Sequence, residues 1–166
     1  ASVKARKWER SRYTGIELHG KTLGLIGLGR VGLQVAQRAR AFDMKLLGID
    51  PGVSDERARQ FDIELVSYDE IFAEADYISL HTPLIESTRN LICTENLKKC
   101  KDGVRIINCA RGGLIDEKDL LKAIESGKVS GAALDVYEAE PPPKDHPLLC
   151  RPEVICTPHL GASTVE

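Results

Sequence analysis

From Thr22 onward the chain alternates two textures. Short apolar runs, TLGLIG at 22–27, KLLGID at 45–50, YISLHT at 77–82, VRIINCA at 104–110, GAALDV at 131–136 and VICTP at 154–158, have the length of strands and little polar alternation. That is the pattern of parallel strands covered on both faces. Helical patterns lie between them. Val31, Val35, Ala39 and Phe42 fall on one helical face, with polar Gln34, Arg38 and Arg40 around it. SYDEIFAEA at 67–75, TENLKKC at 94–100 and DEKDLLKAIESG at 116–127 repeat the alternation, the last closing on a glycine suited to a helix C-terminus. Strands alternating with helices, joined by right-handed crossovers, predict an α/β fold with a doubly wound parallel sheet, and place function at the strand C-terminal ends.

Residues 1–20 break this texture. They are polar and basic, with Trp8 and Tyr13 as large apolar anchors, and read as a connecting arm that packs on another surface. The domain itself is expected over 21–160, with 161–166 beginning a return connection. The prolines at 141–143 mark a rigid loop.

Composition narrows the classes. A chain of 166 residues that is 42% apolar supports one core, and its 23 basic and 25 acidic residues are mixed along the sequence, so there is no stripe for nucleic acid. No apolar run approaches the roughly 18 residues that cross a bilayer. A soluble, cytoplasmic protein without nucleic-acid or membrane partners is expected. The five cysteines, at 93, 100, 109, 150 and 156, form no CxxC and have no histidine cluster, so they read as reduced thiols with no metal site. Cys109 reads as a small buried residue at a strand end.

The segment GLGRVG at 27–32 follows an apolar run and opens an amphipathic helix, the context that turns a glycine pattern into a dinucleotide signal. Gly27 permits the tight turn, Gly29 removes a Cβ from the path of a pyrophosphate, and Gly32 lets the helix approach the sheet. The backbone amides of Arg30 and Val31, at the helix N-terminus, are the expected phosphate donors. Asp50 ends the second run at about the 20-residue spacing where an acidic residue receives ribose hydroxyls. A carboxylate there repels a 2′-phosphate, and Pro51, Gly52 and Val53 follow with no basic residue, so the cofactor is NAD. The fold is therefore of the Rossmann dinucleotide-binding type. Thr82 stands where it could touch the cofactor or simply precede the turn at Pro83.

Three further segments, CARGGLIDE at 109–117, GAALDVYEAEPP at 131–142 and TPHLGAST at 157–164, follow in that order. With GLGRVG they resemble the D-2-hydroxyacid dehydrogenases over essentially the whole chain. KWER at 7–10 and HLGAST resemble most the branch that acts on 3-phosphoglycerate in serine synthesis. The resemblance implies a catalytic set of Arg111, Glu140 and His159. It also implies that Thr82, Cys109, Ala110, Arg111, Asp135, Gly161 and Ala162 line the nicotinamide end, with Asp135 accepting from the carboxamide.

The chemistry asks for the same residue types. Oxidising a secondary alcohol leaves a hydroxyl proton to be removed, and histidine titrates near working pH, so His159 is the acid/base. A carboxylate on its other nitrogen fixes the tautomer and favours the imidazolium, the role of Glu140, for which Glu138 competes. A guanidinium grips the carboxylate of a 2-hydroxy acid in fork geometry, the role of Arg111. His19, His81 and His146 read as surface or loop residues.

Members of this family insert the cofactor domain into a substrate domain built from the two ends of the chain. Turnover by these residues alone is thus expected to be weak or nil, and a homo-oligomer is expected for the full-length protein. Two other readings stay open: an NAD(H)-sensing module like the dehydrogenase-related corepressors, and a dehydrogenase for glyoxylate, hydroxypyruvate or another 2-hydroxy acid. Small residues after His159 favour the enzyme.

Overall fold

Every residue of Thr22–Ile26 is buried, because this run forms the central strand of a sheet covered on both faces. The computed structural model describes residues 3–165; the outermost residues of the expected arm (1 and 2) and of the return connection (166) lie outside the described residues. The seven strands are β1 (Thr22–Ile26), β2 (Lys45–Ile49), β3 (Ile63–Leu65), β4 (Tyr77–Leu80), β5 (Val104–Asn108), β6 (Val129–Leu134) and β7 (Val154–Cys156). They lie in the order β3-β2-β1-β4-β5-β6-β7 and pair in parallel throughout. Leu23 of β1 sits between Leu46 of β2 and Tyr77 of β4. The strand order reverses between β1 and β4, and in open sheets ligands bind in the crevice outside the strand ends at that point.

Five helices fill the crossovers: α1 (Arg30–Arg40), α2 (Asp55–Arg59), α3 (Tyr68–Glu74), α4 (Thr94–Lys99) and α5 (Glu117–Glu125). Leu33, Ala36, Ala39 and Ala58 of α1 and α2 pack with Leu23, Leu25 and Leu46 in one core cluster. Ile71, Phe72, Leu97, Leu120 and Ile124 of α3, α4 and α5 pack with Ile78 and Ile106 in another. Local chemistry starts the helices where the sequence places them. Ser67 and Glu70 form a reciprocal capping box at α3, and the Asp116 carboxylate accepts from the Lys118 and Asp119 amides at the head of α5.

The structure corrects the expectation in two places. β3 and α2 are additional elements between β2 and α3. A three-residue edge strand with one buried residue, Ile63, and a five-residue helix with one, Ala58, are too short to show a period. The buried face of α1 is Gly32, Leu33, Ala36 and Ala39, whereas Val31 and Phe42 are 64% and 58% exposed. Small residues face the sheet because the helix lies close to it; Val31 turns into a cleft and Phe42 lies beyond the helix end. Trp8 and Tyr13 of the arm are 79% and 61% exposed, which leaves them open to another surface. Among the described residues, no helix is long and apolar enough to cross a membrane, and the five cysteines are all free thiols.

Candidate active site

The glycine turn is shaped by two close approaches. Gly27 has φ 96°, and a Cβ there would lie 2.6 Å from the His81 carbonyl carbon. A Cβ on Gly32 would collide with the Gly27 carbonyl oxygen. At Gly29, which caps α1, a Cβ would meet nothing within 4 Å. The first-turn amides of Arg30 and Val31 have no partner within the helix, and such unpaired donors at a helix N-terminus favour an anion.

Asp50 is braced against this turn. Its Oδ2 accepts from the Leu28 amide at 2.7 Å and its Oδ1 from the Gly52 amide at 2.8 Å. Each oxygen keeps a second lone pair for a ribose hydroxyl. Asp50, Pro51, Tyr68, Thr82, Pro83 and Ile85 border a cavity of about 360 Å³, within the size range of ligand sites. Its far wall is set by Thr88, whose hydroxyl donates to the Pro83 carbonyl at 2.7 Å and accepts from the Ile85 amide at 2.9 Å. A second cavity of about 240 Å³ continues the cleft between Val31, Thr82, Cys109, Ala110 and Arg111. Thr82 and His81 border both.

His81 is a loop residue directly after β4, though not an open surface one. It is half-buried, with Nε2 2.9 Å from the Ser79 hydroxyl, and burial pushes its pKa down to about 4, so it is neutral near pH 7. His146, in the loop before the turn at Pro147–Cys150, is more buried: its side chain is 11% exposed and pairs with Glu117 at 2.8 Å. His19 is an exposed loop residue, beside Asp43. Cys109 is exposed rather than buried, because the chain leaves β5 one residue earlier and lays it in the cleft wall. Partial desolvation and the Asp135 charge push its thiol up, which disfavours the nucleophilic thiolate.

The Arg111 loop is built on a buried polar residue that the sequence reading passed over. Asn108, 2% exposed at the end of β5, accepts from the Ala110 amide at 3.1 Å and donates to the Arg111 carbonyl at 2.9 Å. The Arg111 side chain donates to the Ala110 carbonyl at 2.6 Å and stays exposed, leaving further guanidinium donors for a ligand.

Glu140 and His159 are brought together from loops after β6 and β7. His159 Nδ1 lies 2.8 Å from Glu140 Oε2, and the other carboxylate oxygen accepts from the Tyr137 amide at 3.1 Å. The contact with His159, then the Tyr137 amide, holds the Glu140 carboxyl below the usual range. The Nδ1 of His159 pairs with Glu140 and not with Glu138. His159 adopts φ 55°, a left-handed conformation that costs on the order of 1 kcal/mol. Asp135 offsets it. Its carboxylate accepts from the Thr157 hydroxyl at 2.5 Å and from the Leu160 and Gly161 amides at 2.7 and 2.8 Å. Burial opposes ionisation of Asp135, but these bonds outweigh it and hold the carboxyl low. Three internal bonds leave one of about four acceptor sites for a carboxamide. Gly161 and Ala162 are exposed and line neither of the two cavities.

Comparison with known proteins shows the family. Residues 1–161 match the NAD binding domain of the D-isomer specific 2-hydroxyacid dehydrogenases. The chain is 54% identical to a D-3-phosphoglycerate dehydrogenase of Bacillus subtilis over 165 residues, covering 99% of this chain and 31% of that protein. It is 50% identical to one of Rattus norvegicus over 166 residues, covering 100% of this chain and 31% of the relative. The chain thus spans about a third of the length of these relatives. Among solved structures, a glyoxylate reductase from Paecilomyes thermophila is 42% identical with TM-score 0.89, covering 99% of this chain and 49% of the other. The NAD complexed form of a D-isomer specific 2-hydroxyacid dehydrogenase from Lactobacillus delbrueckii is 34% identical with TM-score 0.85, covering 97% and 54%. The chain belongs to the D-isomer specific 2-hydroxyacid dehydrogenases, and it carries their NAD binding domain.

Proposed function

We propose that this chain is the cofactor-binding part of an enzyme that oxidises 3-phospho-D-glycerate to 3-phosphohydroxypyruvate with NAD. The observation that carries the reading is the His159–Glu140 contact of 2.8 Å at the strand C-terminal ends. The identity of about half the residues to two D-3-phosphoglycerate dehydrogenases supports the choice of substrate. NAD, when bound, supplies the two-electron oxidation of the alcohol carbon.

The chain's own residues do the rest. Glu140 occupies Nδ1 of His159, so Nε2 is the atom left to take the hydroxyl proton. The carboxylate stabilises the imidazolium that results and holds the ring in place. Arg111 binds the substrate carboxylate and polarises the developing carbonyl oxygen. The Arg30 and Val31 amides hold the pyrophosphate, Asp50 the ribose, and Thr82, Cys109, Ala110, Asp135, Gly161 and Ala162 the nicotinamide end. Residues 1–20 act as an arm, 21–160 as the cofactor domain and 161–166 as the start of a return connection. The same reading takes the protein as cytoplasmic, and as homo-oligomeric at full length, with exposed Trp8 and Tyr13 available to a second copy.

A steady-state comparison of 3-phospho-D-glycerate with D-glycerate, glycolate and D-lactate tests the substrate, using the full-length protein and NAD. The phosphorylated acid should give the highest kcat/KM; a higher value for any unphosphorylated acid would overturn the choice.

A further inference from the structure

The loop after β6 carries Glu140, and its place is fixed partly from outside the site. The Glu138 amide donates to Glu117 Oε1 at 2.9 Å, and the other oxygen of the same carboxylate lies 2.8 Å from His146 Nε2. Glu117 is the first residue of α5, a rigid element of the sheet's cover, and His146 immediately precedes the turn Pro147–Cys150 that buries Leu148. The His146 and Glu117 side chains are 11% and 16% exposed, so the pair is shielded from water. The Tyr137 ring packs edge-on to the His146 ring at 6.4 Å, and the Tyr137 amide reaches Glu140 Oε1. One carboxylate therefore joins a helix N-terminus, a distant loop and the backbone two residues before Glu140.

A carboxylate only accepts, so the bond to Glu117 requires the proton on Nε2 of His146. Its Nδ1 is buried and has no hydrogen-bond partner among the described residues. An unpaired polar atom is costly to bury, and the mechanism above does not use this histidine. Its burial is explained if the bond that Nε2 makes is needed to hold the Glu117 carboxylate in one orientation.

We propose that His146 and Glu117 form a positioning pair that fixes the 138–140 turn and thereby orients Glu140 against His159. The inference rests on the assignment of Glu140 and His159 as the acid–base pair. Neither His146 nor Glu117 borders the two cavities of the cleft. Their effect falls on the chemical step, where small misplacement of an acid–base group is expensive, and not on ligand binding.

Three variants of the full-length protein test it: His146→Leu, His146→Gln and Glu117→Ala, with His159→Gln as control. Leucine removes the donor while filling the space, and kcat should fall about tenfold with both KM values within about twofold. Glutamine, whose amide nitrogen can replace Nε2, should restore kcat to within about threefold of the parent. His146→Leu combined with Glu117→Ala should be no worse than the poorer single variant, because both break one connection. Wild-type kcat in His146→Leu overturns the inference, as does a loss that glutamine does not recover or that adds to the Glu117→Ala loss. If His159→Gln keeps wild-type kcat, the acid–base assignment fails instead, and the two failures are told apart in one assay.

Discussion

Replacing Asp50 by alanine should weaken NAD binding by about thirtyfold and narrow the preference over NADP. Asp50 is half-buried at the cavity edge, with one lone pair of each oxygen engaged by the Leu28 and Gly52 amides. The remaining lone pairs can take two ribose hydroxyls. A hydrogen bond to a charged group contributes about 1.5–3 kcal/mol when fully desolvated, and about 1 kcal/mol is a fair value at a half-exposed site. Two such bonds give about 2 kcal/mol, or roughly thirtyfold in Kd. The loss of the Leu28 contact is a separate effect on stability. An amide left without its acceptor costs about 1 kcal/mol, which lowers Tm by about 2–4 °C for a domain of this size. Calorimetric titration with NAD and NADP, alongside a thermal melt, separates the two. The 2′-phosphate of NADP meets the Asp50 charge in the parent but not in the variant, so its Kd should change least or improve. An Asp50→Ala protein that melts cooperatively and binds NAD within threefold of the parent would refute the reasoning.

Asp135→Asn should lower kcat by about tenfold or more, since an amide nitrogen would face the Thr157 hydroxyl or the Leu160 and Gly161 amides that now bond the carboxylate; stopped-flow turnover measures it, and an unchanged rate would remove Asp135 from the account. The same substitution should alter acid stability in a known direction. Because the folded pKa of Asp135 is depressed, its stabilisation is fully present above the unfolded value of about 3.9 and is lost as pH falls through the lower folded value. Denaturant melts of parent and variant should therefore converge below about pH 4. A stability gap that stays constant from pH 7 down to pH 3 would contradict it.

What the sequence made legible is what depends on local requirements. Thr22–Ile26 reads as an inner strand because burial on both faces leaves no room for polar alternation. The glycine turn reads as a phosphate loop because Gly27 and Gly32 meet backbone atoms that no side chain could replace. Asp50 is legible through its spacing from that turn. Arg111, Glu140 and His159 are singled out through the resemblance alone, and the structure brings Glu140 to His159 across 19 positions of sequence. The misses share a cause. The face of α1 was misjudged because Val31 and Phe42 are apolar yet exposed, so their hydrophobicity says nothing of the core. β3 and α2 are too short for periodicity to act on. Asn108 supports the Arg111 loop by bonds that need the folded turn, and His146 finds Glu117 29 positions away. Such partners are set by topology, and a lone histidine between prolines and leucines carries no sign of one.

The central claim is that His159, braced by Glu140, is the proton acceptor for an NAD-linked oxidation. The most direct test is kcat and NAD affinity of His159→Gln in the full-length protein with 3-phospho-D-glycerate. Glutamine keeps much of the shape but cannot hold the proton, so kcat should fall by about 10²–10⁴ while the Kd for NAD stays within about twofold. A variant that turns over within threefold of the parent would contradict the account.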